Sequence, residues 1–202
     1  AYVMKHSFGL ADAKFSLHFS CVSTAESVEL IKQAQASGLP VTADVAIYSL
    51  VFTEEAVSDF DTLKKVNPPL RTEQDRLALW QGLKEGVIQS VVSDHHPVEV
   101  ENKDLEFDQA SFGTIGLETL AIAFLSEASK QGLAKADQYI SHHPAAFLGF
   151  KQPELQVGEQ VKGMVISKEA YVYEANSIVS KSKNSIFLDH KFDYKITGVY
   201  GQ

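Results

Sequence analysis

The sequence predicts an α/β fold in which parallel strands are covered by helices, followed by a small β appendage. Over the first two-thirds of the 202 residues, short apolar runs rich in β-branched side chains alternate with segments of helical period. Such alternation implies parallel strands with helices packed outside them. After about Lys151 the long helical periods stop, and seven lysines and six acidic residues separate short strand-like runs. We therefore predict two units, 1–150 and 151–202.

The first strand and helix are predicted near the start of the chain. Phe15 to Val22 is a β-rich run, and Ser23 to Glu26 has the spacing of a capping box, which starts a helix. Gly38 ends the helix, since glycine is favoured just beyond a helix C-terminus. Three apolar residues repeat on one helical face and are expected to be buried: Val28, Ile31 and Ala34.

Two further strands are predicted before the next helix. Pro40 to Ile47 is apolar and β-rich, and Asp61 to Val66 is a shorter candidate strand. The second run leads into Asn67–Arg71, where two prolines cannot donate to a strand ladder. We interpret that segment as a rigid, extended strand exit.

The second helix begins at Thr72, which with Asp75 has N-cap spacing. The residues of its expected buried stripe are Leu77, Trp80 and Leu83. Val87 to Ser93 then forms a fourth predicted strand, which ends at Asp94.

Two more helices and two short strands complete the prediction. The helices are expected over Leu117–Lys130 and Lys135–Leu148, and the strands lie in the runs GMVIS and AYVYE. Four strands with helices outside them are compatible with a small open sheet or with half of a closed (β/α)8 barrel, which needs about 250 residues.

Composition narrows the classes of partner and compartment. The formal net charge is -8, which repels phosphate backbones and anionic lipid, so nucleic acid and membrane surfaces are poor partners. One cysteine, Cys21, leaves no disulfide framework and no cysteine-rich zinc module. No apolar run approaches the ~20 residues of a membrane span, and the first residues lack signal-peptide order. We expect a cytoplasmic protein.

Several segments resemble the dihydroorotase branch of the amidohydrolase superfamily, in the family's order. They are CVSTAESVELIKQAQASGLPVTADV, KVNPPLRTEQDRLAL, VVSDHHP, FGTIGLETL and, near the C-terminus, SKSKNSIF. KVNPPLRT and FGxIGLE are specific to this family, and the resemblance extends from about Phe15 to Gly201. It implies the C-terminal half of a (β/α)8 TIM-type amidohydrolase barrel plus a small β-sandwich appendage.

The same resemblance implies a zinc-dependent hydrolysis of the cyclic amide of dihydroorotate in pyrimidine synthesis. Family chains are about twice as long, and the His-x-His pair that opens their barrel has no counterpart in this sequence. Such chemistry needs metal ions to activate water, a carboxylate to carry the proton, and fixed groups that hold the substrate. In barrels these groups stand at the carboxyl ends of strands.

At two strand ends the resemblance places a family histidine ligand where this chain has another residue. Cys21 stands at the first position and Tyr48 at the second. Thiolate binds zinc, but a lone cysteine is more often a small apolar residue, and a neutral tyrosine is a poor zinc ligand. His18 precedes Cys21 by three residues, so strand alternation predicts that the two side chains point to opposite faces.

Of the other family positions, two are kept and one is replaced. Asp94 matches a metal ligand and general base, and Asn67 matches a substrate-contacting asparagine. Val98 stands where the family has a substrate-binding histidine. Arg71 is interpreted as a member of an ordinary ion pair. A displaced metal site using Asp94 and His96 is conceivable, but no third ligand is evident.

These replacements predict a catalytically inactive dihydroorotase-like protein with no cofactor. Its folding motifs are intact while its ligand positions are lost, which favours a structural role. Some inactive chains of this family assemble with aspartate transcarbamoylase, which is therefore the expected partner. The alternative is an active cyclic amidohydrolase with an altered zinc site, and a binding module without chemistry is a third hypothesis. Because half a barrel leaves open strand edges, we also expect a second copy or an N-terminal fragment to complete it.

Overall fold

The structure, a computed structural model, describes residues 16–150, 157–158 and 162–201. Three strands form a parallel sheet in the order β1 (Leu17–Phe19), β2 (Val41–Ala46) and β3 (Ser90–Val92). Phe15, the predicted start of the first strand, lies outside the described residues. All three strands run in the same direction, so their carboxyl ends meet at one edge of the sheet.

The predicted strand over Asp61–Val66 is wrong. A short 3-10 helix, Thr62–Lys64, occupies that segment, and the Asp61 side chain accepts a hydrogen bond from the Leu63 backbone amide. Lys64 also lies 3.3 Å from the Asp59 carboxylate. These local contacts stabilise a turn, since an aspartate side chain competes with strand pairing for nearby backbone amides.

In the part of the chain that the structure describes, five α-helices surround the sheet or follow it. Their bounds are α1 Ala25–Ala36, α2 Ile47–Val51, α3 Glu73–Lys84, α4 Leu120–Lys130 and α5 His142–Phe147. The predicted N-cap Thr72 is confirmed, because it accepts from the Asp75 amide. The first helix is capped one residue later than the Ser23–Glu26 spacing implies, by Thr24, which accepts from the Ser27 amide. No helix in the described ranges is both long and apolar enough to cross a membrane.

The core lies between the sheet and helices α1, α3 and α4. Trp80 is buried, donates from Nε1 to the Leu50 carbonyl oxygen at 3.0 Å, and stacks on Phe124. Leu83 is buried as predicted, but Leu77 is 49% exposed and Leu79 is buried instead. The stripe is centred on residues 79, 80 and 83, which places Leu77 toward the opposite side of a helix with 3.6 residues per turn.

The predicted helix over Lys135–Leu148 is interrupted. A 3-10 helix spans Ala136–Ile140, Ser141 leaves helical geometry, and α5 then begins at His142. Pro144 accounts for the break: its ring lacks an N–H and crowds the preceding turn, so it fits the first turn of a new helix and not a helix interior.

The C-terminal strands form two antiparallel pairs. β4 (Gly163–Ser167) pairs with β7 (Lys195–Tyr200), and β5 (Tyr171–Val172) pairs with β6 (Lys191–Phe192). Phe187 and Phe192 are buried in the same hydrophobic cluster as the parallel sheet. The boundary between 1–150 and 151–202 stays a prediction.

Candidate functional site

Tyr48 and Asp94 meet at the carboxyl edge of the sheet. Tyr48 lies in the first turn of α2, directly after β2, and is fully buried. Asp94 lies two residues beyond β3 with φ +45°. The Tyr48 hydroxyl donates to Asp94 Oδ2 at 2.6 Å. Burial and the hydrogen bond to Asp94 raise the pKa of Tyr48 far above its usual value, so the phenol remains a neutral donor.

Cys21 lies beside this pair. It follows β1 by two residues, with φ +54°. Burial, and then the nearby carboxylates of Asp94 and Asp44, raise the pKa of its thiol to about 11, against which the Ser20 hydroxyl acts. The thiol is therefore protonated at neutral pH, whereas both zinc binding and nucleophilic attack require the thiolate.

Asp44 is a member of the site that the sequence analysis did not identify. This buried carboxylate accepts hydrogen bonds from the Cys21 backbone amide at 2.6 Å and from the Ser20 hydroxyl at 3.1 Å. His18 Nε2 lies 2.9 Å from Asp44 Oδ2, and His18 Nδ1 lies 2.8 Å from the Thr42 hydroxyl. The signal was present in β2, where Thr42 and Asp44 alternate with apolar residues.

His18 and Cys21 both contact Asp44, so the predicted separation onto opposite faces does not describe their contacts. β1 ends at Phe19, and Cys21 has left-handed backbone geometry, which ends the alternation of side chains before Cys21 is reached. Both ring nitrogens of His18 have partners in Thr42 and Asp44. The side chain fixes the end of β1 and does not replace the family ligand.

The two histidines after Asp94 have different surroundings. His96 Nδ1 lies 3.2 Å from Asp94 Oδ1, but the His96 side chain is 66% exposed. His95 Nδ1 accepts a hydrogen bond from the Gly116 amide at 3.1 Å. Throughout the ranges that the structure describes, no three His, Cys, Asp or Glu side chains are grouped closely enough to hold a metal ion.

Asn67 and Arg71 are not members of this hydrogen-bond network. Asn67 is exposed, and no hydrogen bond in the described residues joins it to Tyr48 or Asp94. Arg71 Nε is 3.9 Å from Asp75 Oδ2, at the outer limit of an ion pair, and its side chain is 46% exposed. Such pairs contribute little to stability.

The donor set at the strand ends does not fit a zinc ion. It consists of a phenol and a thiol, both protonated at neutral pH, and one carboxylate that already accepts a hydrogen bond from the phenol. A catalytic zinc ion takes three protein ligands, each of them deprotonated, and keeps one open position. What this arrangement does chemically is to hold Asp94 in one orientation.

Two of the segments that carry the resemblance, FGTIGLETL and SKSKNSIF, contribute to the scaffold around Asp94. The Asn184 side chain donates to the carbonyl oxygens of His96 at 2.9 Å and Gly113 at 3.2 Å, and accepts from the Val98 amide at 3.1 Å. Glu118 accepts from the backbone amides of 179 and 180 at 2.9 and 2.7 Å. The C-terminal segment is thus tied directly to the exit of β3.

A separate cavity of about 430 Å³ lies toward the amino end of the strands. His18, Thr42 and Ser90 line it, together with residues near α5 that include His143 and Phe147. His143 Nδ1 lies 2.9 Å from the Gln89 carbonyl oxygen. The cavity includes neither Tyr48 nor Asp94.

Two loops at the carboxyl rim are joined through buried lysines. Lys65 donates to the carbonyl oxygens of Phe107 and Asp108, and Lys103 donates to those of Thr62 and Lys65. Burial lowers the pKa of Lys103 from 10.5 to about 8; the charge of Lys65 adds to the shift and Asp61 opposes it.

The pKa of Lys103 predicts a pH dependence of stability. The folded chain loses this proton near pH 8, whereas the unfolded chain keeps it until about 10.5, so unfolding takes up a proton between these values. We expect the contribution of Lys103 to the free energy of unfolding to rise with pH across that window. Urea unfolding at several pH values should show a smaller rise in Lys103→Met than in the parent. Lys84→Met, at an exposed lysine, should keep the parent slope; equal slopes in all three proteins would contradict the prediction.

Curated proteins named dihydroorotase or dihydroorotase-like resemble this chain in sequence. No family model matches the chain. A dihydroorotase from Caldicellulosiruptor saccharolyticus is 41% identical over 181 residues, covering 88% of this chain and 42% of the relative. A dihydroorotase-like protein from Pseudomonas aeruginosa is 38% identical over 176 residues, covering 86% of this chain and 41% of the relative. The chain thus spans less than half the length of the curated relatives it matches.

Solved structures agree on the architecture. An L-hydantoinase (dihydropyrimidinase) from Arthrobacter aurescens superposes with a TM-score of 0.85 at 26% identity, covering 100% of this chain and 47% of that one. A Saccharomyces cerevisiae dihydroorotase in complex with 5-fluoroorotic acid superposes with a TM-score of 0.73 at 14% identity, over 92% of this chain and 52% of that one; this second likeness concerns the fold alone. The predicted fold class, part of a TIM-type amidohydrolase barrel, is confirmed.

Proposed function

Because this chain belongs to the dihydroorotase-like proteins of the amidohydrolase superfamily, we propose that it is a catalytically inactive member of pyrimidine biosynthesis with a structural role. The observation that carries the proposal is the 2.6 Å hydrogen bond from Tyr48 to Asp94. It places a proton donor at a position where the family resemblance implies a metal ligand. The carboxylate expected to bind metal and to act as base is directed at that hydroxyl instead.

Cys21 supports the same proposal. The resemblance implies a histidine ligand at its position, and its thiol, with a pKa of about 11, carries a proton at neutral pH. To bind zinc, Cys21 and Tyr48 would both have to lose protons, beside carboxylates that disfavour the added negative charge. We propose that no zinc is held by this half of the site.

The charge at the rim also opposes the family substrate. Residues 54–65 and 99–112, in the loops beyond β2 and β3, contain nine carboxylates and three lysines, a formal charge of -6. Dihydroorotate is itself a carboxylate, and a negatively charged entrance lowers the local concentration of anions. This is the reverse of the field that a hydrolase for such a substrate needs.

The intact scaffold favours a structural role over random loss of sequence features, which would damage the folding motifs as much as the ligand positions. Asn184, Glu118 and Gly116 keep contacts that fix the strand exit, while the ligand positions carry other residues. We propose that the protein works in the cytoplasm and supports the assembly of aspartate transcarbamoylase. If the two intact proteins from one genome neither co-purify nor form a larger species in light scattering, the assembly role is wrong.

The inactivity is tested on the intact gene product that contains this chain, purified without chelator. We expect zinc far below one equivalent and no hydrolysis of dihydroorotate, even after zinc is added. The matched variant Cys21→His/Tyr48→His should retain more zinc than the parent, since imidazole is a neutral zinc ligand and Asp94 is then released from the phenol. Stoichiometric zinc with turnover in the parent would overturn the proposal.

The second candidate is an active zinc-dependent cyclic amidohydrolase that hydrolyses dihydroorotate to carbamoyl aspartate. It is favoured by Asp94, which remains at the strand end, and by 37–41% identity to proteins named dihydroorotase. Its ligands would have to come mainly from residues outside this chain. A histidine pair of the form His-x-His near the start of the intact gene would support it, together with bound zinc.

A further inference from the structure

We propose that an aromatic, acidic surface at the carboxyl rim of the sheet docks a protein partner whose contact face carries basic side chains around an apolar pocket. We call it the rim surface and define its centre by Phe60, Phe107 and Phe112. The inference rests on the proposed assembly role, and it specifies the chemistry of the partner and the face that meets it.

The aromatic centre of the rim surface is displayed to solvent. Phe60 is 70% exposed and Phe112 is 54% exposed. The rings of Phe60 and Phe107 lie 5.8 Å apart, and the Lys65 ammonium lies 4.8 Å from the Phe112 ring and 5.4 Å from the Phe107 ring. Phe60 also has φ +58°, a left-handed conformation that is unfavourable for a bulky side chain. Its exposure and left-handed backbone leave Phe60 available to a partner beyond its edge contact with Phe107.

The rim surface is held rigid from beneath. Lys65 Nζ donates at 2.6 Å to the Phe107 carbonyl oxygen, and the Gly113 amide donates at 3.0 Å to the Lys65 carbonyl oxygen. Thr62 and Lys103 exchange hydrogen bonds between the same two loops. Exposed aromatic side chains on a fixed backbone lose little conformational entropy on binding, which is the condition for an interface hot spot.

The charge around this centre selects the partner. Of the formal charge of -8 carried by the chain, -6 falls in residues 54–65 and 99–112. This count already includes three lysines: Lys65 and Lys103 are buried, and Lys64 is paired with Asp59 and Asp61. A second copy that met this face with its own rim surface would bring like charges together. A partner with a basic contact face is attracted and oriented by the same field.

The rim surface is distinct from the edges at which a barrel would be completed. Completion of the barrel extends the sheet beyond β1 and β3, along strand edges. The rim surface lies on the loops that follow β2 and β3, so both can be occupied in one assembly.

The experiment measures the affinity of the intact protein for aspartate transcarbamoylase of the same genome. We expect Phe60→Ser and Phe112→Ser each to weaken binding about tenfold or more, as at interface hot spots. Raising salt from about 0.05 M to about 0.5 M should slow association by screening the field. Phe150→Ser is the matched control, because Phe150 is 67% exposed but lies outside the rim surface. It should leave the affinity unchanged.

The outcomes separate this inference from the assembly role. If the complex forms and the rim variants bind as tightly as the parent, the rim surface is overturned while the assembly role stands. If no complex forms, the assembly role fails, and an amphipathic helical peptide, with leucines three or four residues apart and arginines between them, tests the rim directly against its glutamate analogue. Preference for the basic peptide that is lost in Phe60→Ser and kept in Phe150→Ser supports the rim surface. If the parent, Phe60→Ser and Phe150→Ser all bind the basic peptide equally well, the rim-surface proposal is overturned.

Discussion

Gly116→Ala should lower the free energy of unfolding by about 3 kcal/mol, the upper end of the usual range for overpacking. A Cβ at this position would stand closer than 3.0 Å to the Ser93 carbonyl oxygen, a separation that real Cβ atoms essentially never show. The obstructing atom belongs to the backbone, so no side chain can turn aside. The Gly116 amide also donates to His95 Nδ1, so a shift of Gly116 disturbs the residue after Asp94.

Urea unfolding of the intact protein, followed by circular dichroism, measures this loss. Gly163→Ala is the control, because a Cβ at Gly163 meets no atom within 4 Å and its φ is not positive. It should change stability by less than about 0.5 kcal/mol. Equal unfolding midpoints for the two variants would show that the exit of β3 yields more easily than the packing indicates.

The second large effect is expected for Asn184→Ala, with a loss of about 2–4 kcal/mol. Asn184 is buried, and its amide makes three hydrogen bonds to backbone groups of His96, Val98 and Gly113. Truncation removes these bonds and leaves backbone donors and acceptors without partners in a partly buried site, at about 1 kcal/mol or more for each group.

The same unfolding experiment tests this prediction. Asn102→Ala serves as the control, since Asn102 is exposed and its side chain makes no hydrogen bond to the rest of the described chain. We expect its midpoint to match that of the parent. A stability loss in Asn184→Ala no larger than in Asn102→Ala would mean that the C-terminal segment is not what fixes the loop after Asp94.

Much of the fold could be predicted because local signals agreed with one another. Thr72 is the N-cap that its spacing indicated, the first helix begins within one residue of its predicted cap, and the run over Pro40–Ile47 contains a strand. The prediction failed where a side chain competed with the expected backbone pairing. The Asp61 carboxylate closes a turn in place of a strand, and Pro144 starts a new helix within a continuous apolar period.

The site was partly predictable for a geometric reason. Parallel strands end at one edge, so Cys21, Tyr48 and Asp94 could be expected to lie near one another, as they do. Asp44 was missed because its partners are His18 and residues after β1, contacts that join positions 23 to 26 residues apart and depend on the pairing of β1 with β2. Neither the 2.6 Å contact between Tyr48 and Asp94 nor the lysine ties beneath Phe107 could be inferred from spacing.

The bond between Tyr48 and Asp94 has a consequence for how this protein meets the metal supply of a cell. A carboxylate that binds a metal ion is fixed in place only while the ion is bound. Removing the ion, by chelation or by shortage of metal, then destabilises the fold around it. Here the partner of Asp94 is the side chain of Tyr48, which is part of the same polypeptide and does not have to be bound from solution. We therefore expect the shape of this strand exit to be the same whether metal is scarce or abundant, which suits the structural role proposed above.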